Sequence, residues 1–260
     1  MRLPTIQTLM AFILSWPWLV DLKAITGKFT ARIILTSTVI SLLPLGGGGR
    51  VAAAPADEST AAPTPTEGKT GGNAQALLDE GNRYAAKGDY DRAIASYTQA
   101  LALNPKLAGA YNNRGVVYQS KGDYDRAIAD FNQALAIEPR YPGAYNNRGV
   151  TYKNKRDYDR AIADFNQAIM LNSQDMTSYY NRAVAYAGKG DYRRAIADYD
   201  QVLSANPKDV LAYFNKAAAC EKVGRNKEAV AAYKGFLQYA PPQLASAIDY
   251  AKQRVKALGK

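Results

Sequence analysis

The chain has 260 residues, no histidine, one cysteine (Cys220) and a formal net charge of +10 from 33 basic and 23 acidic side chains. Without histidine there is no imidazole base, no histidine triad and no histidine metal ligand. A single cysteine excludes an intrachain disulfide and a cysteine metal cluster. No metal or cofactor is expected, and no residue set supports an enzyme.

Two apolar runs open the chain, residues 9–20 and 33–45. Both are shorter than the roughly 17–25 residues that span a bilayer. The second follows Lys28 and Arg32 and leads into the small residues Val51-Ala52-Ala53-Ala54. A positive flank, a short apolar core and a small-residue stretch make residues 1–54 a targeting or signal segment, or else a retained membrane anchor. The expected location is exported, periplasmic or cell-envelope. Residues 55–72 are rich in Ala, Pro, Thr and Gly and are expected to form a disordered linker.

From residue 74 the sequence repeats with a period of 34, in five copies: 74–107, 108–141, 142–175, 176–209 and 210–243. The phrase Gly88-Asp89-Tyr90-Asp91-Arg92-Ala93-Ile94-Ala95 returns from Gly122, from Arg156 and from Gly190, and in degraded form from Gly224. Such a chain stacks one small unit on the next and leaves a long open surface.

The second copy, numbered 1 to 34, shows how a unit is built. Tyr111, Gly115 and Tyr118 at positions 4, 8 and 11 share one helical face. Gly122-Asp123 breaks the pattern, and the aspartate suits a helix N-cap. Ala127, Phe131 and Ala134 at positions 20, 24 and 27 form the stripe of a second helix, which Pro139 closes. The small residues let the two helices approach, and the same places hold Gly81/Ala93, Gly149/Ala161, Ala183/Ala195 and Ala217/Ala229. A hairpin of about 30 residues is too small to stand alone. Residues 244–260 follow as a capping helix, with Ala247, Ile248, Ala251, Val255 and Leu258 at helical spacing.

Length, the small residue at 8, tyrosine at 11, alanine at 20, an aromatic at 24 and proline at 32 together resemble the tetratricopeptide repeat family. The resemblance implies an all-α, right-handed solenoid of helical hairpins, here five plus the cap, spanning residues 73–260. It also implies that the first helix of each hairpin lines a concave groove in which a protein or peptide binds. The groove residues would then be Asn82, Asn113, Asn147, Asn181 and Asn215, with Tyr180, Phe214 and Leu211 as an aromatic and apolar anchor near the C-terminal end.

The asparagines could serve a bound backbone, since an amide donates and accepts, or could bond neighbouring repeats. Some family members grip the acidic tails of chaperones with cations at positions 2, 5 and 6. Here Leu78, Gly143 and Asn147 stand in those places, so that mode is not expected. Position 7 carries Arg114, Arg148, Arg182 and Lys216, and position 23 carries Asp130, Asp164 and Asp198, a pattern read as ion pairs between helices.

A protein-binding scaffold is therefore the expected function. The alternative is a basic surface for nucleic acid or anionic membrane, driven by net charge. Bases and acids interleave along most of the repeats, so no nucleic-acid partner is expected, while attachment to a membrane through the N-terminal segment stays open.

Overall fold

A computed structural model describes residues 67–260, with side chains from residue 72. The expected targeting segment 1–54 and most of the linker lie outside these residues. Among the described residues every regular element is helical, and no helix is long and apolar enough to cross a membrane.

Five hairpins follow one another: α1 (Glu67–Ala86) with α2 (Tyr90–Leu103), α3 (Ala108–Ser120) with α4 (Tyr124–Ile137), α5 (Pro142–Asn154) with α6 (Tyr158–Leu171), α7 (Met176–Lys189) with α8 (Tyr192–Ala205), and α9 (Val210–Lys222) with α10 (Asn226–Tyr239). A short 3-10 turn at Pro242–Leu244 leads into α11 (Ala245–Leu258), which packs on α10 as the expected cap. The first helix begins at Glu67, six residues before the boundary expected at Asn73. Extending a formed helix by a few residues costs far less than starting one, so Gly71 and Gly72 do not stop it.

Local chemistry starts and stops these helices as the repeat pattern predicts. Asp89, Asp123, Asp157 and Asp191 accept from the backbone N–H three residues on, capping α2, α4, α6 and α8. The turn before each cap needs a left-handed residue, supplied by Gly88, Gly122 and Gly190 at φ 76°, 79° and 88°. In the third repeat Arg156 takes that conformation at φ 61°. Ser173 replaces the usual proline there, and the turn holds because the Asn172 side chain accepts from the Gln174 N–H.

Each hairpin closes on one ring. Ala93, Ala127, Ala161, Ala195 and Ala229 are fully buried, and beside them lie Tyr97, Phe131, Phe165, Tyr199 and Tyr233. A methyl group added at Gly115 or Gly149 would stand 2.8 Å from the Phe131 or Phe165 ring, and at Gly81 2.5 Å from Tyr97. The glycines are therefore what lets each ring fill the gap. Burying one such ring stabilises the fold by roughly 1.5–3 kcal/mol.

Hairpins meet through the second helix of one and the first helix of the next. Successive first helices also touch one another, α1 to α3, α3 to α5, α5 to α7 and α7 to α9, an approach the second helices do not match. That asymmetry puts the first helices on the inner wall of the right-handed solenoid.

Candidate functional site

The inner wall is built from positions 2, 5, 6, 9 and 12 of the first helices, which share one helical face. Its commonest contact is an amide clasp between repeats. Asn113 Nδ2 donates to Asn82 Oδ1 at 2.9 Å, Asn147 Nδ2 to Asn112 Oδ1 at 3.0 Å, and Asn181 Nδ2 to Asn146 Oδ1 at 3.1 Å. Position 6 of one hairpin thus reaches position 5 or 9 of the hairpin before it. Asn215 makes the same reach, but its acceptor is the Tyr180 hydroxyl, at 2.8 Å.

The asparagines singled out from the sequence therefore bond neighbouring repeats. Each clasp uses one of two amide hydrogens. Asn147 Oδ1 has no partner among the described residues, so the wall keeps hydrogen-bonding capacity after the clasps are made. Between the amides, Val116, Val150 and Val184 at position 9 are half-buried and line up one repeat apart.

Of the C-terminal anchor residues, Leu211 is half-buried on α9, while Tyr180 and Phe214 are tied into the fold. Tyr180 lies edge-on to Tyr199 with ring centres 5.8 Å apart, and burial pushes its hydroxyl up to about 12. Phe214 packs against Phe236, Tyr233 and Tyr250 at 5.1, 5.8 and 5.9 Å. Tyr250 belongs to α11, so the cap reaches over this end of the wall. Beneath it Tyr233 donates to Glu221 at 2.6 Å and Arg254 pairs with the same carboxylate. Burial alone would raise the Glu221 carboxyl, but the Arg254 guanidinium bonded to it holds it below the usual range.

Position 12 carries Ala85, Gln119, Lys153, Ala187 and Glu221. Gln119 bonds forward to Thr151 Oγ1 at 2.6 Å. Lys153, half-buried at the C-terminal end of α5, has only the Asn181 amide oxygen, at 3.4 Å. Burial pushes its ammonium down to about 8. Sequence reasoning passed over this lysine. The signal that could have found it is that no other repeat puts a cation at position 12.

Away from the wall the charges are spent on structure. Arg114, Arg148 and Arg182 each grip Asp130, Asp164 and Asp198 with two prongs at 2.7–2.8 Å. A third prong reaches Thr98, Asn132 and Asn166 of the preceding hairpin. The fifth repeat has Ala232 where the aspartate would be, so Lys216 turns back to Asp200 at 2.5 Å. On the rim of turns, Lys121, Lys155 and Lys189 bridge to Asp91, Asp125 and Asp159 of the repeat before. The ion pairs read from positions 7 and 23 are present, and no group of side chains suited to a metal occurs among the described residues.

Comparison with known proteins agrees with this architecture. Tetratricopeptide repeat models match residues 108–141 and 142–175, a further tetratricopeptide repeat model matches 180–245, and a TPR repeat model matches 81–122. No curated protein matches the chain. Among solved structures, a crystal structure of MamA is 27% identical, covering 61% of this chain and 93% of its own, with a TM-score of 0.58. YrrB, described as a TPR protein with an unusual peptide-binding site, is 22% identical over 72% of this chain and 94% of its own, with a TM-score of 0.60. A Pseudomonas aeruginosa pilF structure is 19% identical over 74% and 90%, with a TM-score of 0.61. The repeat period, the hairpin packing and these matches place the chain in the tetratricopeptide repeat family.

Proposed function

We propose that this array is a non-catalytic scaffold whose inner wall takes an extended segment of a partner protein. The carrying observation is the wall's composition: half-buried Val116, Val150 and Val184 alternate with amides that still have donors and acceptors to give. An extended backbone needs both kinds of contact, hydrogen bonds for its peptide groups and apolar surface for its side chains. The family fold is itself an interaction module, and one structural neighbour is described as binding peptide, which supports the reading.

A basic surface for nucleic acid is less well supported, because most lysines and arginines of the turns and helix junctions already face aspartates. Placement in the cell envelope rests on the sequence of residues 1–54, and N-terminal sequencing of the mature chain checks it.

The test uses positions on the wall that carry no core contacts. Gly109 has open space around its Cβ position and Thr177 is exposed, so Gly109→Arg with Thr177→Arg fills the groove while leaving the hairpins intact. Segments selected by the full-length chain from a displayed random library should bind the double variant at least about tenfold more weakly, with helicity by circular dichroism unchanged. Undiminished binding would refute the groove as the site.

A further inference from the structure

Lys153 sits on the middle hairpin, with inner wall on both sides of it. Before it come Asn113, Asn147, Val116 and Val150; beyond it come Asn181, Val184 and Tyr180. The other structurally placed lysines nearby have acids: Lys121, Lys155 and Lys189 on the rim, and Lys216 at the fourth junction. Lys153 faces a neutral amide oxygen at the long end of hydrogen-bond range. A half-buried ammonium without an anion costs stability, and a fold in which alanine, glutamine or glutamate serves at the same position elsewhere does not need a cation there.

Resting on the groove reading above, we infer that the bound segment presents an aspartate or glutamate side chain to Lys153. The carboxylate would take the ammonium together with the spare amide hydrogen of Asn181, which has committed its other hydrogen to the clasp with Asn146. An interior side chain fits better than a chain end, because the wall continues in both directions with similar chemistry. The nearest carboxylate at the same register, Glu221, is already neutralised by Arg254 and does not compete. The depressed ammonium agrees with this, since it reports a charge that burial disfavours and no protein anion restores.

The experiment presents a displayed library of random segments to the full-length chain and to Lys153→Met, Lys153→Arg and the Gly109→Arg/Thr177→Arg variant, each checked for helicity. Wild-type selections should carry Asp or Glu at one fixed register. Changing that residue to Asn or Gln in a synthetic segment should weaken binding to wild type by about tenfold to a hundredfold. The same change should have little effect on Lys153→Met, and Lys153→Arg should keep the acidic preference.

Segments without an acidic preference, yet blocked by the two wall arginines, would overturn this inference and leave the groove standing. So would an acidic dependence that survives Lys153→Met. Binding abolished by C-terminal amidation, and indifferent to the internal acid, would overturn the side-chain assignment. If wild type selects no segment at all, both readings fall.

Discussion

Arg156 occupies the turn position that Gly88, Gly122, Gly190 and Gly224 fill in the other hairpins, and it does so at φ 61°. Left-handed backbone costs an L-residue with a Cβ about 1 kcal/mol. The turn itself is kept, with the Arg156 N–H bonded to Lys153 O at 2.9 Å and the Asp157 N–H to Tyr152 O at 2.9 Å. Arg156→Gly should therefore stabilise the protein by about 0.5–1 kcal/mol. The denaturant midpoint should rise with an unchanged slope; a fall would mean that the side chain's own contacts outweigh the backbone relief.

At the scale of the element, the two-pronged pairs decide how one helix sits on another. Arg148 joins α5 to Asp164 of α6 and, through Nη1, to Asn132 of α4 at 2.6 Å. The Asp164 side chain is only 7% exposed, so removing its partner leaves a carboxylate that water cannot reach. Arg148→Met should cost about 2–4 kcal/mol, and Arg148→Met with Asp164→Leu should cost clearly less than the single change. A double-mutant cycle of unfolding free energies measures this, and additive losses would show that the pair does not act as a unit.

These pairs were visible in the sequence because both partners recur every 34 residues. So were Gly81, Gly115 and Gly149, whose reason for being small is the ring each one faces. The covering of Phe214 was not visible. It depends on how α11 turns Tyr250 toward α9, and a helix that occurs once has no second copy to compare. The asparagine ladder showed its period but not its target, because an amide at position 6 suits a neighbouring repeat or a guest equally well.

On the scale of the whole array, its two ends differ. Ala110, Ala144, Ser178 and Ala212 at position 3 are fully buried by the hairpin before them, whereas Ala76 is exposed. At position 10, Val117, Thr151, Ala185 and Ala219 are buried in the same way, and Arg83 stands there in the first repeat. A charge in that place lets α1 face solvent. The other end relies on α11, whose Arg254, Tyr250 and Leu258 cover Glu221, Phe214 and the Cys220 cluster.

Stability in a linear array is a sum over neighbours, so damage stays near where it is done. Removing residues 241–260 should speed amide exchange in α9 and α10 by at least about tenfold while leaving α3–α6 protected. Uniform loss of protection would show that the five hairpins unfold as one block.

Among the fastenings between neighbouring hairpins, two are chemically unlike. Uncharged amides join them along the inside, and exposed Lys–Asp bridges join them along the turns. Dissolved ions weaken the second kind and hardly touch the first, since exposed charges are screened over about 8 Å at physiological strength. Rising salinity should thus loosen the margin of turns while the amide seam along the inside stays shut.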